Sequence, residues 1–336
     1  MKNLLYIIYY VKTTSASTLN TFLTYAGKET KTSKPHIFLD MITSSYRYKI
    51  SFLDYFYFGF YNQNKDQRKT WAGTGFMYEY QLLMNPKESR GILEDKIQFL
   101  QSYEDFVERK WVQLKDFSNK HDLVSMILKN PSGKIVVKNS KGQVGKEVSV
   151  LEADCYSVDS LFQFMKDNHY DLLEEAVIQH SALMNLSPSG LNTVRIITQL
   201  KNSGKEVVIL GARLRVSVDS PVDNMGAGNF AIALDSEKGV AISDGIYSDI
   251  MKSDEKTHPI TDTKIRGFQV PHWDLIIDFV KKAALKHPQN QSIGWDVAIK
   301  ESSVELIEGN HNWCKLLYQL PLKKGLKNEI LKYYEQ

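Results

Sequence analysis

Asp296, Glu308 and Asn310 carry oxygen atoms at a spacing that suits cation chemistry. They lie in the stretch from Gly294 to Trp313, GWDVAIKESSVELIEGNHNW, which reads as a β-hairpin. The runs Trp295 to Ile299 and Val304 to Glu308 are short and rich in apolar residues. The polar Glu301, Ser302 and Ser303 between them have the length of a three-residue hairpin loop. If Lys300 faces Val304, Asp296 falls directly opposite Glu308, and the two-residue alternation of a strand puts Asn310 on that same face. Two carboxylates opposed across a sheet repel one another, so the pairing calls for a cation between them. Two carboxylates and an amide oxygen form a hard donor set, which suits magnesium bridging to phosphates better than zinc. The alternative is an edge hairpin whose acids face water, but apolar residues on both faces argue for burial.

A second chemical signal is arginine inside an apolar strand. Arg195 lies within Leu191 to Leu200, LNTVRIITQL, which the turn Asn202, Ser203, Gly204 joins to Glu206 through Val216 in a hairpin. Burying a guanidinium without a partner is costly, so Arg195 is expected to meet an anion, either a substrate group or a protein carboxylate such as Asp223. Arg213 and Arg215 share one face of the second strand. One register opposes Arg195 to Arg213 and a register one residue shorter does not; the sequence leaves that choice open.

Other elements must hold these groups in place. Pro131, Ser132 and Gly133 make a turn that launches a strand, Lys134 to Lys138. The loop Asn139 to Lys146 follows, and then a strand from Val148 to Leu151. A flexible loop between two strands can fold over a triphosphate and present backbone N–H groups and lysines to it. It is not a GxxxxGK[ST] phosphate loop, because neither the spacing nor the next element matches. A helix is expected from Asp159 to Asn168. A glycine-spaced loop runs from Val222 to Gly228, and an amphipathic helix spans Pro271 to His287 with Trp273, Ile276, Ile277, Val280 and Ala284 on one side. Upstream, Lys34 to about Tyr80 has a helical pattern, Asn85 to Gly91 a turn, and Ile92 to Leu100 a second helix. The aromatic run Ile50 to Tyr61, ISFLDYFYFGFY, reads as a buried or docking helix in preference to a membrane-surface anchor.

With 336 residues, 43% hydrophobic and 24% charged, the chain has room for two or three lobes and a large core. Its net charge is only +3, and the basic residues are spread along it, so no nucleic-acid footprint is implied. Cys155 and Cys314 lie far apart with no zinc spacing, which fits a reduced setting. Met1-Lys2 and the apolar run to Val11 resemble a short signal sequence, but the run is brief, rich in tyrosine and closed by Lys12. No stretch approaches the ~20 apolar residues of a transmembrane segment.

The runs GWDVAI from Gly294 and LIEGNHNW from Leu306 resemble the metal-binding end of the ATP-grasp fold, and in wording they are most similar to its sugar-transfer-associated branch. The resemblance covers roughly Asn85 to Leu320, and more weakly the helical region before it. It implies an α+β architecture in which two lobes clasp ATP, preceded by a helical N-terminal region over residues 1–84. Lobe A with a phosphate flap would span 85–177, lobe B with the metal hairpin 178–325, and a C-terminal tail 326–336. It also implies ATP and Mg2+ as cofactors. Asp296, Glu308 and Asn310 would be the metal ligands, Lys96 and Lys138 would reach phosphates, and Gly142 and Gly145 would form the flap. Glu174, Glu175 and Val177 would hold adenine in the hinge within Tyr170 to His180; Gln179 and His180 could approach the ribose, although a lone histidine in a hinge is more often structural. The sequence departs from the usual pattern by having Asn139 where proline is common and by a sparse glycine count in the flap.

What the resemblance implies chemically is a cytoplasmic ligase joining a small-molecule carboxylate to an amine or saccharide acceptor through an acyl phosphate, with Arg195 or Arg213 steadying the carboxylate or oxyanion. The branch occurs among genes for cell-surface polysaccharides, which suggests association with polysaccharide-assembly enzymes. Two other readings stand beside it: a kinase-like transfer of phosphate to a sugar hydroxyl, and a non-catalytic nucleotide-binding component of an assembly complex.

Overall fold

A computed structural model describes residues 2–142, 147–201, 204–220 and 223–334. The helical region comes first: α1 (Lys2–Thr13), α2 (Ala16–Thr30), α3 (Lys34–Tyr48), α4 (Phe52–Tyr57), α5 (Lys65–Lys69) and α6 (Thr74–Met84). Ser15 caps α2, and Ser51 with Asp54 forms a reciprocal capping box at α4, so backbone N–H groups at both starts are satisfied. The aromatic run read as a buried or docking helix is buried, with Phe52, Tyr55, Phe56, Phe58 and Phe60 all inside and joined by Tyr10, Phe22, Ile37 and Met41. The run at the start of the chain is a helix whose Tyr10 packs edge-on against Phe52.

The expected helix from Ile92 to Leu100 is two: α7 (Gly91–Glu94) and α8 (Lys96–Ser102). Asp95 interrupts them because its carboxylate accepts the N–H groups of Ile97 and Gln98, which makes it the N-cap of α8 instead of a helix-interior residue. Next come β1 (Trp111–Gln113), α9 (His121–Leu128), β2 (Lys134–Lys138), β3 (Val148–Glu152), α10 (Val158–Asp167) and β4 (Leu172–Glu175). The four strands make an antiparallel sheet in the order β1-β4-β2-β3. α9 and α10 cover one face of it, burying Val124, Ile127, Leu161 and Met165 against Ile135, Val137 and Leu173.

The second sheet follows α11 (Ser181–Leu186) and contains β5 (Val194–Lys201), β6 (Glu206–Val216), β7 (Phe230–Leu234) and β8 (Ile246–Tyr247). After α12 (Trp273–Lys286), β9 (Ser292–Ile299) and β10 (Val304–Asn310) complete it in the order β10-β9-β5-β6-β7-β8, all antiparallel. α12 turns Trp273, Ile276, Val280, Ala283 and Ala284 onto one face, against Val194, Ile196, Leu214 and Val297. It ends just before Pro288, as helices do where the following residue excludes α conformation. The opposite face is covered at one end by α6 and by α13 (Lys315–Gln319). There Phe76, Met77 and Tyr80 meet Ile197, Trp313 and Tyr318, together with Ile330 of α14 (Lys327–Leu331). Gln319 fixes this layer, donating to Ala72 O (3.0 Å) and accepting from the N–H groups of Ala72 (2.9 Å) and Leu326 (3.0 Å). β5 and β9 are thus buried on both faces, so their polar side chains, Arg195, Thr198, Gln199, Ser292 and Asp296, must find partners inside the protein.

Two registers differ from simple hairpin counting. In β5/β6 the pairing opposes Arg195 to Arg213, then shifts by one between Ile197 and Thr198, so each of the two registers left open by the sequence occurs in its own half. In β9/β10 the turn is one residue longer than expected: Ile299 pairs with Val304, and Lys300 N–H donates to Ser303 O at 2.9 Å. A bulge between Leu306 and Glu308 then restores Asp296 opposite Glu308.

Candidate active site

Between the two sheets lies a cavity of about 450 Å³. The first sheet, the loop after β2 and the helix before the sheet contribute Lys96, Val136, Lys138, Gly142, Val148, Glu174 and Glu175, with Val177 from the segment that leads to the second sheet. The second sheet contributes Arg195, Arg215, Asp296, Glu308 and Asn310. The candidate residues therefore converge from both sheets, with two exceptions. Gly145 lies outside the described residues, and Arg213 does not line the cavity.

The expectation for Arg213 is corrected by what covers it. Its guanidinium is buried under α13, donating from Nε (3.1 Å) and Nη2 to Tyr318 O and from Nη1 to Ala212 O (2.7 Å). With burial and no carboxylate partner, its pKa is pushed down to about 10. Arg213 thus ties α13 to the sheet. The cavity-facing arginine of β6 is Arg215, two residues on.

Arg215 belongs to a buried ion network at the floor of the cavity. Both oxygens of Asp296 are engaged: Oδ1 by Arg195 Nε, and Oδ2 by Arg195 Nη2 (2.7 Å) and Arg215 Nη1 (2.6 Å). Arg215 Nη2 also contacts Asp223 Oδ1 at 2.8 Å, and Asp223 Oδ2 accepts from the N–H (2.8 Å) and hydroxyl (2.5 Å) of Thr193. The partner of Arg195 is thus Asp296, and Asp223 serves Arg215. Burial alone would raise the Asp296 pKa, but the two arginines outweigh it and hold the carboxyl well below the usual range. Asp223 is shifted upward by burial, against the pull of Arg215. Gly294 is required beside this network, since a Cβ there would lie 2.7 Å from Trp313 Cβ and 3.1 Å from Arg195 Cδ.

Glu308 is half-exposed to the cavity and accepts from Asn310 Nδ2 at 3.0 Å, with Arg195 Nη2 at 4.0 Å. Asp296, Glu308 and Asn310 stand on one face, as their spacing predicts. The cations that neutralise Asp296 are arginines. Among the described residues, no group of three or more His, Cys, Asp or Glu forms a metal cluster. Beside the arginine-held Asp296, the Glu308 carboxylate and the Asn310 amide are the further hard oxygen donors lining the cavity.

On the opposite wall, Lys138 Nζ donates to Glu174 Oε2 at 2.8 Å, and Arg109 Nε donates to the same oxygen at 2.8 Å. Burial would raise the Glu174 pKa, but Arg109 and Lys138 together bring it down to about 2. Its carboxylate is therefore taken up by protein cations. Glu175 is similarly engaged, accepting from the N–H (2.9 Å) and Nζ (3.1 Å) of Lys110. Lys96 Nζ donates to Asn139 O (3.2 Å) and to Gly142 O, and Ser140 is held by Asp171 through both N–H (2.6 Å) and hydroxyl (2.7 Å). Lys96 thus anchors the start of the loop after β2, and burial lowers its pKa. Gln179 and His180 do not line the cavity. They bind backbone instead, Gln179 to Gly190 O (2.7 Å) and Asn192 N–H (3.0 Å), and His180 to Ala182 N–H (3.0 Å).

Arg109 is the residue that sequence reading passed over. Besides Glu174 it reaches Glu305 Oε2 (2.9 Å) and Leu306 O (2.7 Å) in β10, and so joins the two sheets at the back of the cavity.

These buried pairs make acid stability testable. A carboxyl whose folded pKa is depressed stabilises the fold fully above its ordinary pKa, and that stability is lost as pH falls through the folded value. For Glu174 the window runs from 4.5 down to about 2, worth on the order of 3 kcal/mol. Urea unfolding followed by tryptophan emission should show wild type losing its advantage over Glu174→Gln across that window. A constant difference between the two would show that Glu174 does not titrate there.

A family model described as sugar-transfer associated ATP-grasp matches residues 76–335. No curated protein matches the chain. Among solved structures, D-alanyl-alanine synthetase A from Vibrio cholerae O1 biovar eltor superposes with a TM-score of 0.41 at 13% identity, covering 74% of this chain and 62% of that one. An L-amino acid ligase from Bacillus licheniformis gives 0.41 at 12%, covering 76% and 54%. Biotin carboxylase from Campylobacter jejuni gives 0.44 at 12%, covering 74% and 47%. The chain thus spans less than two thirds of the length of each of these structures.

Proposed function

The chain belongs to the sugar-transfer associated ATP-grasp family and has the ATP-grasp fold behind a helical N-terminal region, and from that premise we propose that it is an ATP-dependent ligase. In this reading it joins a carboxylate to an amine or hydroxyl acceptor in the assembly or modification of cell-surface polysaccharide. The observation that carries the reading is the meeting, in one cavity, of Lys96 and Lys138 from one sheet with Arg195, Asp296, Glu308 and Asn310 from the other. Phosphoryl and acyl transfer depend mainly on positioning and charge compensation, and this arrangement supplies both.

The residues take distinct parts. Val136, Val148, Val177 and Leu191 offer an apolar slot suited to a planar base, beside the backbone of Glu175. Lys138, at the end of β2, faces phosphate, and Glu174 orients it. Lys96 and Asp171 fix the first residues of the loop that would cover the phosphates. Glu308 and Asn310, with Asp296, would hold magnesium, whose contribution is to offset charge on transferring phosphoryl oxygens. Arg195 and Arg215 lie where a carboxylate or oxyanion would be steadied, in place of the expected Arg213.

The test is trapping with hydroxylamine. With ATP, Mg2+ and the correct carboxylate, an activated acyl group yields a hydroxamate, and candidate carboxylates from activated sugars and amino acids can be screened by ADP release. Phosphate transferred to a sugar hydroxyl, with no carboxylate giving hydroxamate, would defeat the ligase reading in favour of a kinase.

A further inference from the structure

The helical N-terminal region exposes an apolar face that its own core does not use. In α2 the outward residues are those of an ordinary surface helix, among them Ser17, Asn20, Thr21, Lys28 and Glu29. Its neighbour α1 is different. Tyr6, Ile7 and Tyr10 face the core, while Leu4, Leu5, Ile8, Tyr9 and Val11 point outward and remain 47–64% exposed. A helix apolar on all sides is normally covered on all sides. α3 packs beside α1 and adds Phe38, Leu39 and Tyr46, exposed by 40–64%. At helical spacing these residues form one stripe on each of two helices that pack side by side.

The charge around the stripes selects what can cover them. Residues 1–48 contain six Lys and Arg against two Asp and Glu. Of the two acids, Asp40 is already held by both terminal nitrogens of Arg68, at 2.8 and 2.7 Å. Lys12, Lys34 and Arg47 are exposed beside the apolar residues, and α1 contains no acid. A second copy placed isologously on this face would set like charge against like, which disfavours pairing. Leucine and isoleucine mixed with tyrosine and flanked by lysine is instead the composition of a helix that lies in the interface of an anionic bilayer. No described helix is long and apolar enough to cross a membrane, so the contact would be in-plane.

We propose that α1 and α3 form a docking face for an anionic lipid surface, with the apolar stripes entering the headgroup boundary and Lys12, Lys34 and Arg47 meeting lipid phosphates. The proposal does not depend on the ligase reading, because none of these residues lines the cavity. Flotation of the full chain with vesicles tests it. The chain should float with 70:30 phosphatidylcholine:phosphatidylglycerol vesicles and remain behind with pure phosphatidylcholine. Leu5→Asn/Ile8→Asn/Leu39→Asn should lower partitioning about ten-fold or more, and Leu5→Asn alone about three-fold. Lys12→Glu/Lys34→Glu should lower it about ten-fold and remove most of its salt dependence. Unchanged circular dichroism and thermal midpoint would confirm that the exposed substitutions leave the fold intact. Absence of flotation with the anionic vesicles would overturn the proposal, as would equal flotation of the triple variant. Sedimentation showing a wild-type dimer that the triple variant abolishes, without flotation, would assign the face to self-association and overturn it as well.

Discussion

Arg109→Met should destabilise the protein by about 3–5 kcal/mol, the usual cost of breaking a buried ion pair from one side. The reason is its position between two acids that are themselves buried. Arg109 donates to Glu174 on the first sheet and to Glu305 on the second, and the N–H groups of Glu108 and Arg109 add contacts to Glu305 Oε2, each at 3.2 Å. Without the guanidinium, Glu305 keeps those two N–H groups and a distant Lys300 at 3.8 Å. A typical domain has only about 5–15 kcal/mol of stability, so the loss should move the urea midpoint strongly. Arg109→Lys should recover little, because one ammonium cannot reproduce the fork that spans the two sheets. Arg109→Met/Glu305→Gln should recover part of the loss by removing an orphaned charge. A single Arg109→Met variant within 1 kcal/mol of wild type by urea unfolding would mean that the two sheets do not depend on this tie.

The second large effect concerns nucleotide binding. Lys138→Met is expected to weaken ATP binding by about 2–4 kcal/mol, or roughly 30- to 1,000-fold in Kd, as when a buried charge contact is cut and an anion is left unpaired. Stability should suffer less than in Arg109→Met, because Glu174 retains Arg109 when Lys138 is lost. The two measurements therefore separate two roles for one lysine. Calorimetric titration that gives wild-type affinity, together with a lowered urea midpoint, would make Lys138 a partner of Glu174 and nothing more.

The contrast between Lys138 and Arg109 also shows what the sequence could reveal. Lys138 ends an apolar strand bounded by a turn and a loop, so local pattern fixes its place in the fold and the family resemblance supplies its phosphate role. Arg109 sits in Glu108-Arg109-Lys110 before a strand of only three residues, and that reads as a solvated turn. Its partners lie 65 and 196 residues away, a distance that no local periodicity reports. Arg213 and Arg215 illustrate a different limit. Alternation places them on one face, but whether that face meets α13 or the cavity at each position is decided by tertiary packing. Asp296 opposite Glu308 was legible although the loop was counted one residue short, because the bulge in β10 offset the difference.

That bulge governs more than a count. Glu305 and Glu308 are three residues apart, and in an unbroken strand they would point to opposite sides. The extra residue at Leu306–Ile307 brings them to the same side, since Glu305 pairs with Ala298 and Glu308 with Asp296, and those two partners share a face. One short strand can therefore brace the joint between the sheets and furnish the cavity with a carboxylate at once. A β10 that kept all its residues but paired without the bulge would turn one of the acids toward Val297, Ile299 and the α12 side chains, a placement of charge in hydrocarbon that selection would remove. The irregularity is thus a hereditary constraint: it must be passed on intact for as long as the two acids stand three residues apart and both duties rest on β10.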